Sequence, residues 1–239
     1  MRESNNINEL DKPVENFGKI IFEQTIDTNI DIFEMGLDQF IEEGVIKDIP
    51  IISAGYSIGK TFFAIKDFML TKKAIVFAQM IRNGNTENKK LEKHKQELSE
   101  KPKKLLKELE IILMYLDRHT KLLKSKILGN FYNAYIDNEI EFDWEDFELC
   151  AEITDNISLY DLKDLLNLYE KEYIKIGEGY NQVAMKRLRN VCLIDFFDGM
   201  AVNRGDVKEI IAMINEVGKA YVNIGLKNIP FDDEESFNF

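Results

Sequence analysis

The stretch from Val45 to Ile81, VIKDIPIISAGYSIGKTFFAIKDFMLTKKAIVFAQMI, constrains this chain more than any other, because it is the most apolar part of an otherwise charged polypeptide. A segment of this kind can fill a core, enter a membrane, or support a phosphate-binding loop. The core reading makes two consecutive helices of it. The first is broadly apolar through Ile58, Phe62, Phe63, Ile65 and Met69, and the second is opened by Thr71 as a cap and closed near Gly84. Small residues at Ser53, Gly55, Ser57 and Gly59 then let neighbouring helices approach closely.

The membrane reading uses the same G-x-x-x-G pair, Gly55 and Gly59, with Phe62 and Phe63 as apolar contacts. A spanning helix needs about 20 mostly apolar residues. Here the uncharged run from Ile49 ends at Lys60, and Lys66, Asp67, Lys72 and Lys73 interrupt the remainder of the stretch. A hairpin lying in a membrane surface tolerates such lysines on one face, so a membrane-active effector inserting residues 45–81 stands as one alternative. The phosphate reading rests on residues 54–61, where Gly59, Lys60 and Thr61 supply the second half of G-x-x-x-x-G-K-[ST] but Ala54 stands where the first glycine should be. The loop also needs a buried parallel strand before it, and Pro50 interrupts the candidate. A nucleotide-binding protein of this kind would use Asp195 or Asp117 as metal partner. The core reading conflicts with fewer residues than either alternative.

Charge narrows the partners. The net charge of −12 over 239 residues disfavours nucleic acid, since phosphate contact needs a basic face. Residues 82–126 carry 13 basic against 7 acidic side chains, whereas residues 127–172 carry 2 against 13. Complementary segments of this kind choose each other as neighbours. The interleaved Glu92, Glu97, Glu100, Glu108 and Glu110 make the basic segment a solvated surface rather than an anion-binding one. Cys150 and Cys192 are distant and in apolar surroundings, which reads as two buried reduced thiols. His94 and His119 have no carboxylate or second histidine at ligand spacing, so no metal or histidine-centred catalytic site is expected, and no cofactor motif or catalytic trio emerges. The polar start MRESNNINELDKP lacks a secretory apolar core, and a cytoplasmic location is expected.

Along the chain, Asp11 and Pro13 start a helix carrying Val14, Phe17, Ile20 and Ile21, and Thr28 with Asp31 starts a second, acidic on its outer side, through Phe33, Leu37 and Ile41. Thr86 caps a polar helix to about Ser99. Pro102 opens the most regular helix, with a stripe of Leu105, Leu106, Leu109, Ile112, Leu113 and Leu116. Thr120 begins the next, with Leu123, Ile127, Leu128, Phe131 and Tyr135, and the short link predicts an antiparallel pair. Asp143 caps a helix turning Trp144, Phe147, Cys150 and Ala151 inward, and Ser158-x-x-Asp161 is a capping box for the helix through Leu162, Leu165, Leu166 and Tyr169. Gly177-Glu178-Gly179 marks a module boundary. Beyond it come a helix from Asn181, the run Phe196-Phe197-Asp198-Gly199, a turn at Asn203-Arg204-Gly205, an apolar run Ile210–Ile214 and a short helix capped by Asn215 that ends at Gly225.

A helix, two short strands around a turn and a closing helix follow the order of a winged helix. The segments IPIISAGYSIGKTFFAIKDFMLTKKAIVFAQMI, KPKKLLKELEIILMYLDR, KSKILGNFYNAYI, MKRLRNVCLIDFF and GKAYVNIG also resemble a family of bacterial and prophage-type helical proteins, over most of residues 28–226. The resemblance implies a helical body, a winged-helix-like C-terminal end and a setting in mobile elements or phage conflict, and it carries no catalytic motif. The fold class expected is mainly α, with a multi-helix bundle body and a small C-terminal winged-helix-like α+β module. The domain division expected is a flexible start at residues 1–10, a body over 11–176, the module over 177–227 and an acidic, aromatic tail over 228–239. Winged helices contact DNA through the helix before the wing, which makes Lys186, Arg187, Arg189 and Arg204 the residues for a nucleic-acid or partner contact. The function expected is non-enzymatic: a helical interaction or regulatory protein, as a phage-defence or prophage component, with protein partners or further copies of itself.

Overall fold

The computed structural model describes residues 14, 17–18, 20–22, 63–83, 88–137, 141–176, 181–198 and 210–229. Most of these are helical, and the sheet they contain is small, three-stranded and antiparallel, close to the C-terminus. The chain divides into two compact units, residues 1–143 and 144–239.

The first unit contains α1 (Phe63–Asn83), α2 (Asn88–Ser99), α3 (Pro102–Arg118) and α4 (Leu122–Asp137). α1 corrects the expectation of two helices meeting at Thr71. It runs unbroken through that threonine, which is fully buried in the helix interior instead of capping a terminus. No glycine or proline lies between Phe63 and Asn83 to stop it. Every residue from Thr71 to Ala78 is buried, so this length of α1 is enclosed on all sides, as a central helix must be. The second half of the apolar stretch is therefore core. Residues 45–62, including Gly55, Gly59, Lys60, Thr61 and Phe62, lie outside the described residues, as does the helix expected from Thr28.

α4 is buried around most of its circumference, and this lets it serve more than one neighbour. Its broadest backbone partner is α1, not the sequence-adjacent α3. Gly129 makes the approach possible: a Cβ there would lie 2.6 Å from Met80 Cβ and 3.2 Å from the Phe77 carbonyl oxygen. Nearby, Asn133 Nδ2 donates to the Met80 carbonyl over 2.8 Å. Pro102 is at the first turn of α3, where its missing N–H costs nothing. Leu109, Ile112 and Leu116 are buried on its inner stripe, each contributing roughly 1.5–3 kcal/mol, while Leu105, Leu106 and Leu113 are half-buried. Val14, Phe17, Ile20 and Ile21 are helical and buried at the expected spacing, with the Phe17 ring 6.1 Å from that of Phe77.

The second unit contains α5 (Trp144–Asn156), a 3₁₀ turn (Leu159–Asp161), α6 (Leu162–Lys171), β1 (Tyr173–Lys175), α7 (Gln182–Asn190), β2 (Ile194–Asp198), β3 (Ile210–Ile214) and α8 (Glu216–Ala220), which runs into a π-helical turn at Tyr221–Gly225. The strand order is β1-β3-β2. Tyr173 faces Met213 across β1 and β3, and Asp195 faces Met213 while Phe197 faces Ile211 across β2 and β3. β1 precedes Gly177 and β3 follows it, so the sheet spans the module boundary expected there. Alternation along the strands places Ile174, Ala212, Ile194 and Ile214 on the buried face.

Local chemistry explains the helix starts. Asn181 Oδ1 accepts from the N–H groups of Val183 and Ala184 and opens α7. Asn215 Oδ1 accepts from Gly218 N–H over 2.9 Å and opens α8. The capping box expected at Ser158 is not formed. Ser158 precedes a 3₁₀ turn without a side-chain cap, and the Asp161 carboxylate is turned to Arg187.

Candidate functional site

In the second unit the chemistry gathers around α7. Asp161 is 2% exposed at the end of the 3₁₀ turn, and a carboxylate so placed needs a fixed cation. Arg187 supplies it in a two-point grip, Nε to Oδ2 at 2.7 Å and Nη2 to Oδ1 at 2.5 Å. That hydrogen bond raises the Arg187 guanidinium above its ordinary pKa. Asp164, one turn into α6, has its carboxyl raised by burial and then by the Asp161 charge. The guanidinium of Arg189 lies over the Phe196 ring, 5.1 Å from its centre, a cation–π contact. Lys186 is exposed, and Arg204 lies outside the described residues.

Two surfaces flank these residues. A groove of about 440 Å³ has Leu149, Ile153 and Val191 as apolar lining and Glu152, Arg187 and Cys192 as polar lining. Cys192 corrects the expectation of two buried thiols. It stops α7 in a left-handed conformation, φ 60°, and is exposed, with its carbonyl accepting from Asn215 Nδ2 over 3.0 Å. Cys150 is buried, and burial followed by the charge of Asp146 pushes its thiol up to about 12. The second surface is the outer face of the sheet. Tyr173, Phe197 and Met213 are 55%, 49% and 39% exposed, which on a strand facing water is unusual for side chains of this size.

In the first unit the sequence concealed a polar cluster. Glu108 on α3 is 2% exposed, and its Oε1 accepts from the Tyr132 hydroxyl at 2.6 Å and meets His94 Nε2 at 2.8 Å. The Tyr135 hydroxyl donates to Oε2 at 3.5 Å. Burial, then the Glu108 charge, lifts both tyrosines well above the ordinary phenol range. Spacing along the chain could not show the His94–Glu108 pair, because the partners come from different helices. His119 is 1% exposed with neither ring nitrogen hydrogen-bonded, and its pKa is pushed down to about 3 by burial, then by Lys124 and Lys73. Lys73 itself reaches from α1 to the end of α3, where its Nζ donates to the Asp117 carbonyl at 3.4 Å.

Among the residues expected to form a site, the structure keeps Lys186, Arg187 and Arg189 together on α7, with the last two engaged by Asp161 and Phe196. Asp195 and Asp117, the metal partners of the nucleotide reading, are in different units. Phe63 is the first residue of α1. No described helix is long and apolar enough to cross a membrane, and no group of three or more His, Cys, Asp or Glu among the described residues could hold a metal. Compared with protein-family models, curated proteins and solved structures, the chain finds no match.

Proposed function

We propose that this chain is a non-enzymatic interaction protein whose C-terminal unit is a winged-helix-like module that binds protein rather than DNA. The observation that carries the reading is the set of exposed large apolar side chains on the outer face of the sheet, Tyr173, Met213 and Phe197. Aromatic and methionine side chains at the centre of a surface are the composition of protein interfaces. The order helix, strand, helix, strand, strand, helix with the sheet order β1-β3-β2 supports the winged-helix-like assignment. The engagement of Arg187 and Arg189 supports protein over phosphate, since DNA needs several cations facing outward together, and the net charge of −12 adds to this. The Glu108 cluster supports a folding role for the first unit's polar residues: its carboxylate is enclosed and held by three side chains. A setting in a prophage or in phage defence follows from the segment resemblance alone.

Photo-crosslinking in the native host tests the reading, with a benzophenone amino acid at position 173 in the full chain. A protein adduct, lost when Phe197→Asp is added, is expected. Duplex DNA titrated at low salt is expected to leave fluorescence anisotropy unchanged. DNA binding that weakens steeply with salt and disappears in Lys186→Ala would replace protein by DNA as the ligand of this module.

A further inference from the structure

We propose that the outer face of the sheet is a self-docking surface, and that its occupant is the same face of a second copy of this chain. This rests on the protein-binding reading above and names the partner. The register fixes two rows on that face. The first is Tyr173, Met213, Asp195 across β1, β3 and β2, and the second, two residues along each strand, is Lys175, Ile211, Phe197. Five of the six side chains are exposed and Ile211 is half-buried, so this is the face turned from the core.

Its charges are at opposite corners, Lys175 on β1 and Asp195 on β2, and its aromatics are at the other two. Strands are about 4.8 Å apart and alternate residues about 6.8 Å along a strand, so the six positions form a patch of about 9.6 Å by 6.8 Å. A two-fold axis in the interface along the diagonal from Tyr173 to Phe197 has a simple consequence. Tyr173 meets its own copy, Phe197 meets its own copy, and Met213 packs against Ile211 of the other molecule. Lys175 of each molecule then faces Asp195 of the other, making two equivalent ion pairs at the rim. The two sheets cross at roughly 70°, closer to the orthogonal than to the aligned packing of twisted sheets. The patch is complementary to itself in both shape class and charge, which is what an isologous interface requires. A different protein as occupant would need no such diagonal arrangement.

Sedimentation of the full chain over a concentration series is the test. A reversible monomer–dimer equilibrium is expected, weak for so small a patch, with half-dissociation on the order of 10–100 µM. Phe197→Asp should leave only monomer while the melting curve is unchanged. Asp195→Lys and Lys175→Asp should each weaken dimerisation about tenfold, because symmetry repeats each repulsion twice, and the double variant should restore it. In a Cys192→Ser background, Tyr173→Cys should be joined to its own copy by a short bis-maleimide. A chain that stays monomeric at every concentration, or a dimer indifferent to Phe197→Asp or not restored by the double charge reversal, overturns the proposal. If the host crosslink at position 173 is then to a different protein, self-docking fails while the protein-binding reading stands. If there is no adduct of either kind, both fail.

Discussion

The Tyr132 hydroxyl donates to the buried Glu108 carboxylate over 2.6 Å, tying α4 to α3 in an interior where a carboxylate cannot call on water. His94 completes the tie from α2, so one side chain organises three helices. A hydrogen bond to a buried charge is worth about 1.5–3 kcal/mol, and its loss strands the acceptor. Tyr132→Phe should therefore lower the unfolding free energy by about 2 kcal/mol in urea titration. Glu108→Leu should cost a similar amount, and the double variant well under the sum, because each single change leaves the other partner unsatisfied. Additive losses would show that the two groups act independently.

The fold was legible where the signal was local. Asn215 read as a cap and is one, and the helix read from about Asn181 does start there, because an Asx side chain needs only its own next two or three N–H groups. The 3.6-residue stripe of Pro102–Arg118 and the buried spacing of Val14, Phe17, Ile20 and Ile21 were visible for the same reason. The misreadings came where a distant partner displaced a local one. Thr71 read as a cap, but burial on every side keeps α1 continuous; Asp161 read as part of a capping box, but Arg187, 26 residues on, claims its carboxylate. His94 read as lacking a carboxylate because Glu108 reaches it from another helix. That Tyr173, Met213 and Phe197 share the outward face depends on strand register, which no spacing within a single strand reveals.

The Arg187–Asp161 pair should respond asymmetrically to truncation. Arg187 has 45% of its side chain exposed and Asp161 2%, so removing the carboxylate releases a cation that water can take. Removing the guanidinium leaves an anion with no solvent and with Asp164 close by. Arg187→Met should therefore lower Tm by roughly 5–10 °C, and Asp161→Leu by clearly less, with the double variant closer to wild type than Arg187→Met alone. Differential scanning calorimetry decides it. Equal losses from the two single changes would mean that the pair contributes through geometry and not through desolvation of the acid.

Two glycines should tolerate a methyl group unequally. At Gly218 a Cβ would collide with the carbonyl oxygen of Leu193, and also lie 2.7 Å from Ile214 Cγ1. A backbone carbonyl bounded by β2 cannot retreat without moving the strand. At Gly129 the nearest obstacle is Met80 Cβ at 2.6 Å, and relief there requires α1 and α4 to separate slightly. Both Ala variants should be destabilised, Gly218→Ala by about 3 kcal/mol or more and Gly129→Ala by about 1–3 kcal/mol, the ordinary range for overpacking. Urea midpoints of the two variants would show the order, and an unaffected Gly218→Ala would mean that α8 can shift away from β2 without cost.

His119 gives the chain a definite acid sensitivity. Its folded pKa near 3 is below the unfolded value of about 6.5, so between these values the unfolded chain binds the extra proton. Stability should thus be complete above about pH 6.5 and fall as pH drops toward 3, by about 2–3 kcal/mol at pH 4.5 from this residue alone. His119→Leu removes both the titration and an imidazole whose nitrogens have no hydrogen-bond partner. At pH 7.5 the variant should be at least as stable as wild type, since an apolar replacement ends the cost of burying unpaired nitrogens. At pH 4.5 it should be the more stable protein by the full ~2–3 kcal/mol or more, as read from urea unfolding at the two pH values. Parallel pH profiles for the two proteins would mean that His119 takes up its proton in the folded state as readily as in the unfolded chain.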